Sequence, residues 1–265
     1  MKTQARIASI LKSNHLDESI TGIEIFKLSQ LILQNSPKFQ LPTNLRLGHL
    51  VEKIVSELIK NSTNYKVIHE NVQIIDGKQT IGEIDFIIED LNEAKLIHLE
   101  LAYKFYLFDP SISDEPVQNW IGPNRNDSLN EKLDKLKSRQ FPLLYHNCTK
   151  ATFNDLNTAT ISQALCFLVS LFIPYEYKGK FSPTYEQAIK GYYLNQETFK
   201  NLDHSDKLYY LPEKKEWGMD PFENENWEDF KSMSIQLNTC IQEKQAPLCW
   251  QKYNGVFTTF FIVWW

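Results

Sequence analysis

Asp85 and Glu100 are the residues on which a chemistry could be built. They sit in Gly82-Glu83-Ile84-Asp85-Phe86-Ile87-Ile88 and in Leu96-Ile97-His98-Leu99-Glu100-Leu101-Ala102-Tyr103-Lys104-Phe105. Both stretches are rich in β-branched and aromatic residues and alternate with period two, so both read as strands. Glu89 to Ala94 between them is short enough for a hairpin loop. Alternation puts Glu83, Asp85 and Ile87 on one face of the first strand, and His98, Glu100, Ala102 and Lys104 on one face of the second. Carboxylates on neighbouring strands repel unless a cation lies between them. A divalent metal answers that repulsion, since Mg²⁺ is held by one or two carboxylates plus water and phosphate. A lysine nearby can orient the attacking water or stabilise charge on a phosphate. The alternative is an ordinary amphipathic hairpin with a solvated charged face.

Gly82-Glu83-Ile84-Asp85-Phe86, followed by an apolar strand with Glu100 at its centre, resembles the core of the PD-(D/E)XK nuclease superfamily. There the Asp ends one strand and Glu-x-Lys lies on the next. More closely, Gly82-Glu83-Ile84-Asp85-Phe86, His98-Leu99-Glu100-Leu101-Ala102, Lys104-Phe105-Tyr106-Leu107 and Trp120-Ile121-Gly122-Pro123-Asn124 are similar to an uncharacterised bacterial family, domain of unknown function 1853. The resemblance implies a metal-dependent nuclease. Asp85 and Glu100 would ligate Mg²⁺ or Mn²⁺, with Glu52 in support and Lys104 as the lysine. Ala102 stands where the signature lysine falls. Lys104 lies two residues on, roughly 6.6 Å along the same face, within reach of a long side chain. Glu83 and His98 are further candidates because they share the polar faces. Gln140 with Tyr145 resembles the Gln-x-x-x-Tyr element of RecB-like nucleases at a spacing one residue longer. The runner-up function is a nuclease-like fold that binds nucleic acid or protein without catalysis.

The elements that would position these residues follow from periodicity. Leu47, Leu50, Val51, Ile54, Val55 and Leu58 form a helical stripe within 45–61, with Glu52 beside it. Tyr65 to Ile75 reads as a strand, and Asp76-Gly77 is a hairpin signal leading into the Asp85 strand. The loop 109–126 contains Trp120, read as a lid or, in preference, a core plug. Residues 127–145 read as a helix capped by Asp127. Its Lys132, Lys135 and Arg139 would share one face, with Arg125 near, either as solvated salt bridges or as phosphate contacts. Ala164 to Ile173 is a continuous apolar run, hence a buried strand, with a parallel neighbour expected after the helical crossover.

These elements predict an α/β fold: an αβββαβ core with a mixed central sheet flanked by helices, over 45–175. A helical lead-in over 1–44 would precede it, with Ile20, Ile23, Phe26 and Leu33 as an amphipathic segment and Pro37 and Pro42 marking irregular chain. An aromatic-rich α+β extension over 176–265 would pack on the core. It includes short strands at 191–194 and 208–212, a helix at 227–242 and a terminal strand at 256–265. Its aromatic residues read as core rather than as a platform for bases.

Composition bounds the function. The 265 residues carry a net charge of −5, so no global basic footprint exists and any nucleic-acid surface would be local. No apolar stretch approaches a membrane span. Cys148, Cys166, Cys240 and Cys249 have no metal-site spacing and read as the reduced thiols of a cytoplasmic protein. There is no Gly-x-Ser-x-Gly and no phosphate-binding Gly-rich loop.

Overall fold

The computed structural model describes residues 3–35, 39–42 and 44–265; Pro37 lies outside them. Nine strands form one mixed sheet among these residues. They are β1 (Tyr65–Asp76), β2 (Gln79–Asp90), β3 (Lys95–Phe108), β4 (Trp120–Ile121), β5 (Ser162–Pro174), β6 (Ile189–Asn195), β7 (Leu208–Tyr210), β8 (Leu248–Tyr253) and β9 (Val256–Val263). The sheet order is β1-β2-β3-β5-β6-β9-β8-β7, with β4 paired on β3. The expected α/β class with a mixed sheet flanked by helices is therefore observed. No helix among the described residues is long and apolar enough to cross a membrane. All four cysteines are free thiols.

The chain divides into two compact units. One comprises 15–103 and 131–168. Here β1 and β2 pair antiparallel from Tyr65↔Asp90 to Asp76↔Gln79, and β2 and β3 pair antiparallel from Phe86↔Leu99 to Asp90↔Lys95. The helix Leu47–Lys60 buries Leu50, Val51, Ile54, Val55, Leu58 and Ile59, the stripe its spacing predicts. A second cluster gathers Ile74, Ile84, Ile87, Leu143, Leu144, Phe153 and Ile161. The start of β5 lies beside the start of β3, where the Ser162 hydroxyl donates to the Leu96 carbonyl at 3.2 Å.

Two sequence expectations in this unit are corrected. The segment from Ile20 to Leu33 is not one amphipathic helix. Its helical turn Glu18–Thr21 stops at Gly22, whose φ of +62° makes a left-handed C-cap, and Ile25 then bridges to Leu165 of β5. The helix expected over 127–145 begins at Leu129, widens into a π-turn at Leu136–Gln140 and ends with Phe141–Leu143. Pro142 has no N–H for the Ser138 carbonyl, and the Ser138 hydroxyl bonds back to the Asp134 carbonyl at 2.6 Å. Both features loosen the α ladder where the π-turn forms.

The other unit comprises 1–14, 104–130 and 169–265. Here β5 and β6 pair parallel, β6 and β9 pair parallel, and β8 and β9 form an antiparallel hairpin. Strand β8 was not anticipated. Trp120 is buried, with rings of Phe108, Phe181 and Tyr185 around it at 5.0, 5.6 and 5.3 Å, so it is the plug. Phe199, Tyr209 and Phe260 are buried with Met233 and Leu237, the aromatic core expected of this region.

Candidate functional site: two carboxylates on β2 and β3

The β2–β3 ladder stops at Phe86↔Leu99. The next residues are Asp85 and Glu100, and here a side chain replaces the backbone. The Leu101 N–H donates to Asp85 Oδ2 at 2.9 Å. Asp85 is thus anchored across the point where the two strands part.

Glu100 is fully buried at 0 % exposure, and so is His98 two residues before it on the same face. Their side chains meet at 2.8 Å, His98 Nε2 to Glu100 Oε1. The other carboxylate oxygen, Oε2, accepts from the Gln140 side-chain amide, which the π-turn delivers from its last position. Lys132 Nζ donates to Gln140 Oε1 at 2.9 Å, so the amide has one orientation: oxygen toward Lys132, nitrogen toward Glu100. Gln163, at the entry to β5, approaches His98 Nδ1 at 3.2 Å.

The electrostatics follow. Burial raises the Asp85 carboxyl most, and the Glu100 carboxylate beside it raises it further; Glu52 adds to this, while the Leu101 N–H and Lys132 oppose it. The result is pushed up to about 8 from an ordinary 3.8. Glu52, on the helix Leu47–Lys60, is also paired with His49 Nδ1 at 3.0 Å. Among the described residues, no three His, Cys, Asp or Glu side chains gather to hold a metal. The donor set on offer is two carboxylates.

The structure therefore brings together Asp85, Glu100, His98, Gln140 and Lys132, with Glu52 close enough to act on Asp85 through its charge. Glu83 is half-buried in β2 opposite Gln73. Lys104 gives its ammonium to Asp127 Oδ2 at 2.7 Å. The lean toward the carboxylate pair expected of it is replaced by this ion pair. The shared face expected for Lys132, Lys135 and Arg139 is also revised. Lys132 is half-buried and turned to Gln140, whereas Lys135 and Arg139 are exposed. The π-turn breaks the 3.6-residue spacing between Lys132 and Arg139, while Lys135 lies before it in the same regular helix as Lys132. Arg125 pairs with Asp109 at 3.1 Å and lies 4.5 Å from the Trp265 ring.

Sequence reasoning missed Gln163. Its one signal was a polar side chain at the entry of a strand that is otherwise apolar.

No curated protein matches the chain, and no solved structure matches it. The family described as Domain of unknown function (DUF1853) matches residues 2–255, and the chain belongs to that family.

Proposed function

We propose that the chain is a nuclease that hydrolyses phosphodiester bonds of nucleic acid with Mg²⁺ or Mn²⁺ held by Asp85 and Glu100. One observation carries this reading: a half-buried Asp85 and a fully buried Glu100 stand on parting strands, at a cost visible in Asp85, which burial and the Glu100 charge push up to about 8. A divalent cation removes that cost. The donors fit, because hard oxygen ligands suit Mg²⁺ and Mn²⁺, and Mg²⁺ needs only one or two protein carboxylates beside water and phosphate. When bound, such an ion lowers the pKa of its water and offsets charge on the phosphodiester.

The chain's own residues supply the rest of the reading. The Leu101 N–H fixes Asp85, while His98 and Gln140 fix the two oxygens of Glu100. Lys132, whose charge acts on Asp85, takes the part of the lysine that orients water or a phosphate oxygen. Exposed Lys135 and Arg139 are available to phosphates. The architecture that accompanies this reading is the PD-(D/E)XK core, supported by the order helix Leu47–Lys60, β1, β2, β3, helix Leu129–Lys135, β5.

Labelled single- and double-stranded DNA and RNA, incubated with Mg²⁺ or Mn²⁺, test the proposal. Wild type is expected to cleave at least one, and Asp85→Ala and Glu100→Gln to lose about 10²-fold or more. The second reading, a binding module, is favoured by Ala102 at the signature position and by the Lys104–Asp127 pair. It takes over if wild type retains nucleic acid and cleaves none of the panel.

A further inference from the structure

The geometry points to Gln163 as a positioning residue that fixes the tautomer of His98 and, through it, the orientation of Glu100. The part that concerns metal rests on the nuclease reading; the part that concerns the tautomer does not.

The argument is one of donors and acceptors. The Gln163 side-chain nitrogen stands 2.7 Å from the Phe141 carbonyl. A carbonyl only accepts, so the amide must place its NH₂ there, not its oxygen. The same nitrogen lies 3.2 Å from His98 Nδ1. With its second hydrogen it donates to that ring nitrogen, so Nδ1 is the acceptor and Nε2 carries the hydrogen. Nε2–H then donates to Glu100 Oε1 at 2.8 Å. The Phe141 ring, 5.5 Å away and edge-on to His98, closes one side of the imidazole.

The opposite side of Glu100 is arranged by the same logic. Lys132 only donates, so Gln140 turns its oxygen to Lys132 and its NH₂ to Glu100. Two amides, each oriented by a group of fixed polarity, thus converge on one buried carboxylate. Gln163 touches neither Glu100 nor Asp85 in this chain of bonds. Its effect is to stop the imidazole from presenting a lone pair to the carboxylate, which would turn Glu100 away. Outer partners of this kind tune metal affinity without touching the metal.

The test has two readouts on the full chain. Two-bond ¹H–¹⁵N correlation spectra with labelled histidine are expected to show His98 protonated at Nε2 and bare at Nδ1, with His98→Gln identifying the signals. Gln163→Leu is expected to mix the tautomers. Mn²⁺ titration calorimetry is expected to show about tenfold weaker binding for Gln163→Leu and His98→Leu, and His98→Gln, which keeps an N–H near the Nε2 position, within about threefold of wild type. Hydrogen on Nδ1 in wild type, or a tautomer unchanged in Gln163→Leu, overturns the inference. So does His98→Gln binding as weakly as His98→Leu. If Gln163→Leu does not fold, the wild-type tautomer and the His98→Gln comparison still decide. If wild type binds no Mn²⁺, the nuclease reading falls and the tautomer alone decides this inference.

Discussion

Asp85 uses one oxygen on the Leu101 N–H and still carries the strain of the site, because it faces Glu100 under burial. The alternation of the two strands was enough to put His98 and Glu100 on one face of β3 and Asp85 on one face of β2, since period two is a local property of sequence. It did not show that this polar face of β3 is covered, leaving His98 and Glu100 at 0 % exposure. Gln163 was not legible, because its contact with His98 joins residues 65 positions apart and depends on β5 lying beside β3. The charge strain has a measurable consequence. Asp85 would lose its proton near its ordinary 3.8 when unfolded and near 8 when folded. Between those values the folded chain holds the extra proton, so stability falls as pH rises. The contribution is whole below about pH 4 and lost by about pH 8. Urea unfolding of metal-free protein is expected to weaken from pH 5 to pH 8, and Asp85→Asn, which keeps an acceptor for Leu101, to remove about 3–4 kcal/mol of that dependence. An Asp85→Asn protein with the wild-type pH profile would show that the proton is held elsewhere.

At the scale of elements, the β1–β2–β3 meander and the helix Leu47–Lys60 were legible because each has one dominant period and clear punctuation. The Asp76-Gly77 turn and the apolar stripe are both sufficient signals. The segment 129–143 was legible as a helix but not in its phase. A reading at 3.6 residues per turn aligns Lys132 with Lys135 and Arg139. The π-turn shifts Arg139 out of that alignment and brings Gln140 to Glu100, while Lys132 turns to Gln140 and Lys135 and Arg139 are exposed. The two kinds of lysine should therefore respond differently. Lys132→Ala is expected to cut metal-dependent cleavage by about 10²-fold, as loss of a positioned charge at the site does. Lys135→Ala is expected to leave the rate at saturation alone, to weaken nucleic-acid binding, and to lower the salt slope by about one. Lys104→Ala is the comparison. A loss as large as that of Lys132→Ala would return the lysine's role to Lys104 and its release from Asp127.

At the scale of the molecule, strand β8 escaped a linear reading although its partner β9 is the next strand in sequence. Strand β8 had a signal: Asn254-Gly255 follows it, and both residues take the left-handed φ of a tight hairpin, 49° and 77°. The apolar run of β5 announced a parallel neighbour, but which strands pair in β5–β6 and β6–β9 had no local signal, because parallel neighbours are joined by long crossovers. Gly191 marks where that long-range packing is tightest. It lies opposite Phe172 in the β5–β6 register. A Cβ added there would stand 1.9 Å from the Thr259 carbonyl oxygen and 3.3 Å from a ring carbon of Phe172. The oxygen belongs to the backbone of β9, which is held on its far side by β8, so it cannot yield as a side-chain tip would. Gly191→Ala must then push β6 and β9 apart along the stretch where Tyr192↔Phe260 and Leu194↔Ile262 pair. The expected cost is about 2–3 kcal/mol, as for overpacking in a filled interior. For a chain of this length that lowers the melting temperature by roughly 4–12 °C. Gly77→Ala, at a turn with open space and a φ of 60°, tests the alternative that any glycine loss is equally harmful. Its penalty is conformational alone, about 1 kcal/mol. Equal melting points for the two variants would mean that β6 and β9 do not approach as closely as Gly191 indicates.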